Sequence, residues 1–194
     1  MAENTQNIRV TKNFTIPPDK ELVKRPNEFK LKVNLYWVAT IIRGISERNP
    51  KHKILPNHVL IDVGVAIIFD EPEVDLAASY ICNTINYWNQ IHVRDHNFFM
   101  TNADKLFVSD HIKAGTLQAI FSEGLIKPEE VAKVWNYLNV MIRQSIRWMN
   151  SLVQGNQKIV LCEKLADGKP NPNAVEMDRA KLLSLAKIHE VTDI

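Results

Sequence analysis

Apolar residues recur at helical spacing from Val131 to Val153, and this is the clearest pattern in the chain. Val131, Val134, Trp135, Leu138, Met141, Ile142, Ile146, Met149, Leu152 and Val153 fall on one face. At 100° per residue they fill an arc of about 140°, with Lys133, Asn136, Asn139, Arg143, Arg147 and Gln154 opposite. Pro128 suits the first helical position, and Glu129 and Glu130 suit the positive end of the dipole. Gly155 marks the exit. The pattern predicts a helix over 128–154, about 40 Å long.

Weaker patterns surround it. Asn27 to Arg48 alternates at first (Phe29, Leu31, Val33, Leu35) but also places Leu31, Leu35, Val38, Ile42 and Ile45 at helical spacing; its length favours a helix that ends at Asn49-Pro50. Val59 to Phe69 is rich in β-branched residues without alternation, so a buried strand competes with a buried helix, and helix is preferred for the company it keeps. Asp70-Glu71-Pro72-Glu73 opens a helix whose stripe is Val74, Ala78, Ile81, Ile85, Trp88 and His92. A loop is expected around Asn97–Asn102, then helices near 103–113 and 116–123, the latter ended by Gly124. Lys158 to Glu163 reads as a short strand. Residues 167–173 read as a linker, followed by a last helix capped by Asn173 with Glu176 in a capping box.

The fold expected is therefore mostly α, a helical domain packed on the 128–154 helix; the alternative is α+β, with strands near 59–68 and 158–163. Residues 1–25, poor in large apolar groups and carrying Pro17-Pro18, read as an extended or disordered arm, 26–163 as a helical body, and 164–194 as a linker with a docking helix. That helix, with Val175, Leu182, Leu183, Leu185 and Ala186 on its apolar side, must fold back on its own body or dock on another subunit.

At 194 residues and 45% hydrophobic, the chain can bury a core without disulfides or a metal. Cys82 and Cys162 make no disulfide framework and read as buried thiols in a reducing compartment. The polar first ten residues do not form a signal peptide, and no apolar run is long enough to span a bilayer, so a cytoplasmic protein with no membrane partner is expected. Residues 1–53 carry eleven Lys/Arg against five Asp/Glu, and the remainder thirteen against seventeen. A basic front on an acidic body can hold an anionic partner or a neighbouring copy.

Candidate chemistry is sparse. His92-x-x-Asp95-His96 places two imidazoles four apart, as one face of a helix requires for metal binding, and Asp110 or His111 could add a third ligand, with Asp95 orienting an imidazole. The competing reading is a core-edge histidine on the Ile81, Ile85, Trp88 stripe. Asp62, inside an apolar run, is either a shifted acid or, in the preferred reading, a paired structural carboxylate. Arg43, Arg48, Lys51 and Lys53 could neutralise phosphates. Tyr137 and Trp148 flank the long helix's core stripe and Val140 points to its polar side. These three, with Leu182 and Leu185 of the last helix, are the expected interface residues. No phosphate-cradling glycine loop or nucleophile motif occurs, and no cofactor is expected.

The sequence reading is a non-catalytic structural or assembly protein, a homo-oligomer or part of a larger complex. Abundant Asn, Ile and Lys resemble viral or other AT-rich coding, which suggests a virion component such as a ring or connector subunit. The alternatives are a metal-dependent hydrolase of helical-bundle type using His92, His96 and Asp110 or His111, and a nucleic-acid-binding regulator using the basic front segment.

Overall fold

The computed structural model describes residues 27–49, 76–106, 118, 124–165 and 167–194. The expected arm at 1–25, the segment 59–69 with Asp62, the pair Asp110-His111, and the helix at 116–123 apart from Gln118 lie outside the described residues. What is described is mostly helical, with one two-stranded antiparallel sheet.

In chain order the elements are α1 (Asn27–Arg48), α2 (Leu76–Thr84), a 3-10 turn (Ile85–Tyr87), α3 (Trp88–His92), α4 (His96–Leu106), α5 (Pro128–Leu152), β1 (Ile159–Leu161), β2 (Val175–Met177) and α6 (Arg179–Ile188). The long helix is α5. Pro128 opens it, and Glu130 Oε2 accepts the Lys127 backbone N–H at 3.0 Å, satisfying a donor that the first turn leaves orphaned. It stops at Val153, which is extended, and Gly155 follows in the left-handed region at φ 59°.

Val134, Trp135, Leu138, Met141, Ile142, Ile146 and Met149 of α5 are buried, so the stripe read from the sequence is the centre of the core. Ser145 is buried among them, where its hydroxyl donates to the Met141 carbonyl at 2.8 Å. Helix α1 makes the most extensive contact with α5. Its Leu31, Val38 and Ile45, two turns apart, are all buried. Asn34 Nδ2 donates to Lys30 O at 2.7 Å and to Gln144 Oε1 at 3.2 Å, tying α1 to α5 through a polar contact at the core's edge.

The stripe from Ala78 to His92 is real, with Ala78, Ile81 and Trp88 buried, but one helix does not carry it. The chain breaks at Thr84. Its hydroxyl donates to the Tyr80 carbonyl at 2.7 Å and accepts the Trp88 indole N–H at 3.0 Å, competition with the backbone that bends helices. A second correction concerns the loop expected at 97–102, which is the body of α4. Asp95 Oδ1 accepts the Phe98 N–H at 2.9 Å as an N-cap, and Phe99 is buried against Trp135 with ring centroids 4.8 Å apart.

The expected strand at 158–163 is β1. It pairs with β2 in the register Ile159–Met177, Val160–Glu176 and Leu161–Val175. The stretch 167–173, expected as a linker, belongs to a hydrogen-bonded hairpin connection. Leu165 N–H donates to Lys169 O at 2.8 Å, Gly168 N–H to Leu165 O at 2.9 Å and Asn171 N–H to Glu163 O at 2.9 Å. Asn173 does not cap the last helix, because Val175, Glu176 and Met177 are drawn into the sheet. The cap is Asp178, which accepts the Lys181 N–H at 2.8 Å. Helix α6 folds back on α5, and Met177, Leu182, Ala186 and Val191 join the same buried cluster as α1 and α5.

Candidate functional site

Two helix C-termini meet beside α5. At the end of α3, Asp95 N–H donates to Gln90 O at 2.9 Å and Arg94 N–H to Ile91 O at 3.1 Å, with Arg94 left-handed at φ 55°. This is the hydrogen-bond pattern of a Schellman ending. At the end of α6, Glu190 is left-handed at φ 56° and Val191 N–H donates to Ala186 O at 2.9 Å. Each ending leaves a histidine at the last helical turn: His92 on α3 and His189 as the C-cap of α6.

The two rings lie with centroids 5.2 Å apart at 81°, and His189 also stands edge-on to Trp88 at 5.8 Å and 84°. His189 is 1% exposed, and among the described residues neither ring nitrogen has a hydrogen-bond partner. Burial, reinforced by His92 and Arg143, lowers its pKa to about 4. Asn139 of α5 braces the neighbouring turn by donating to Ile91 O at 3.2 Å and to Trp135 O at 3.0 Å. Beyond α6, Arg143 Nη2 lies 4.0 Å from a Glu190 carboxylate oxygen, and Arg147 Nε bonds both Asp193 oxygens at 2.8 and 3.0 Å.

This arrangement revises the expected metal pair. His92 ends α3 and His96 begins α4, with a left-handed residue between them, so they do not share one helix face. His96 is exposed, and Asp95 spends a carboxylate oxygen on capping α4 rather than on an imidazole. Among the described residues, no three His, Cys, Asp or Glu side chains gather as a metal site. Among the described residues, the ring that approaches His92 is His189. No spacing rule in the sequence links two residues so far apart.

Of the basic residues, Arg48 is engaged with Glu130, its Nη2 lying 2.7 Å from both carboxylate oxygens. The side chain of Arg43, and Lys51 and Lys53 altogether, lie outside the described residues. Of the expected interface residues, Tyr137, Trp148 and Leu185 are half-buried and packed against the core, and Val140 is half-buried. Leu182 is fully buried within the chain's own core, so its surface is already covered. Cys82 is buried, its thiol donating to Leu161 O at 3.5 Å, and Cys162 is half-buried.

No helix among the described residues is long and apolar enough to cross a membrane. Comparison of the chain with protein-family models, with curated proteins and with solved structures gives no match.

Proposed function

We propose that the chain is a non-catalytic structural or assembly protein, working as a homo-oligomer or as one subunit of a larger complex in the cytoplasm or in a particle built there. The observation that carries the reading is where apolar side chains remain outside the core. Among the described residues, Val93 is exposed by 70%, and Trp37, Leu152, Val160, Leu165, Leu183 and Ile188 by 38–46% each. Trp37 lies on α1 and Val93 after α3; the other five lie at the end of α5, on the hairpin and on α6. Large apolar side chains left at the surface supply what the core of a contact surface needs. The basic front segment and the acidic remainder suit head-to-tail contact, which closes into rings or extends as filaments. A ring or connector role in a virion rests on composition alone.

Native mass spectrometry of the full chain tests the reading. A multiple of the chain mass without metal is expected, reduced to the single chain by Leu183→Asp with Ile188→Asp. A monomer carrying one metal mass overturns the assembly reading in favour of the hydrolase, and a bare monomer overturns its homo-oligomeric form.

A further inference from the structure

Buried polar atoms are almost always hydrogen-bonded, and the exceptions call for a reason. His189 is such an exception, with two unpartnered nitrogens in a ring closed off from solvent. Its surroundings suit only the neutral form. Trp88 and His92 face it from α3, and Arg143 acts on it from α5. On its own segment, Glu190 turns its carboxylate toward Arg143 at 4.0 Å and stays mostly in water. The C-terminal dipole of α6 favours a cation and trims the effect. No carboxylate among the described residues hydrogen-bonds the ring to hold a proton there.

We propose that His189 is an acid-sensitive latch, whose protonation releases α6 and the following tail from α5. The segment is suited to release because few buried side chains hold it to α5. It is held by Leu182, Ala186 and Val191, by the exposed Arg147–Asp193 and Arg143–Glu190 pairs and by a bond from Arg179 to Asn150. Elements held by few buried apolar contacts open at lower free energy than the whole fold. The sign follows from linkage. An imidazole depressed in the closed state binds its proton better once open, so closure is strongest above the ordinary histidine value of 6.5. It weakens as the pH falls from there toward about 4. One proton taken up on opening raises the opening constant by up to about tenfold per pH unit across that window. The inference does not depend on the assembly reading.

The test uses the full chain. Hydrogen exchange, corrected for the intrinsic pH effect, is followed from pH 7 to 4, together with the His189 ring signal by NMR. The expected result is at least tenfold loss of protection in 179–194 while 134–149 keeps its protection, with a ring midpoint below 5. His189→Phe, which keeps an aromatic ring but cannot be charged, is expected to hold the segment closed to lower pH. A ring midpoint near 6.5 overturns the proposal. So does a segment that stays protected at pH 4, or one that opens only together with the core. The NMR titration of the unmodified chain decides the matter if the variant does not fold.

Discussion

Arg48, in the last turn of α1, places its Nη2 2.7 Å from both carboxylate oxygens of Glu130, in the first turn of α5. Each charge sits at the helix end whose dipole it complements. Glu130 also accepts the Lys127 N–H, so one carboxylate starts α5 and fixes the end of α1 against it. Burial opposes its charge, but the Lys127 N–H and the Arg48 guanidinium outweigh burial and hold the carboxyl below its ordinary value.

A double-mutant cycle of Arg48→Ala and Glu130→Ala, read by urea unfolding, should give a coupling of about 0.5–1 kcal/mol. The contribution of a depressed carboxyl is present above its unfolded value and is lost as the pH falls through its folded one. The coupling should therefore persist at pH 7, shrink below about pH 4 and weaken in high salt. A coupling unchanged at pH 3 would mean that the pair is not ionic in solution.

Thr84→Val should be costly despite its matched shape. The variant leaves the buried Trp88 indole N–H without its acceptor, at a cost of about 1–3 kcal/mol. Thr84→Ser keeps the hydroxyl and should recover most of the loss. Urea midpoints of the three proteins check this, and equal midpoints for Val and Ser would show that water replaces the hydroxyl.

Leu182 and Leu183 are sequence neighbours with opposite expected behaviour. Leu182 is fully buried and Leu183 is 45% exposed. Leu182→Ala should cost about 2–5 kcal/mol in folding. Leu183→Ala should stay within about 0.5 kcal/mol for the single chain while weakening any assembly. Thermal melts paired with size-exclusion chromatography separate the two effects.

The thiols should differ in reactivity. Cys162 is half-buried and Cys82 buried beside Leu161, so an alkylating reagent should modify Cys162 first and reach Cys82 only as the fold opens. Peptide mass mapping over time reads the order directly, and simultaneous modification would contradict the burial of Cys82.

The sequence determined the elements whose signals are local. Pro128, Glu129 and Glu130 mark the start of α5, the middle of its stripe from Val134 to Met149 is legible and buried while Leu152 is exposed, and α1 can be bounded by its length and by Asn49-Pro50. Local signals also misled where two meanings compete. Asp95 reads equally as a partner for an imidazole and as a helix cap, and the packing of Phe99 on Trp135 favours the helix. Asn173 and Glu176 spell a capping box, yet pairing with β1 claims 175–177 and moves the cap to Asp178. The His92–His189 contact was decided by tertiary structure alone. It depends on α6 folding back along α5, a choice set by the burial of Leu182, Ala186 and Val191. Local spacing carries no record of which distant ring that burial will bring alongside.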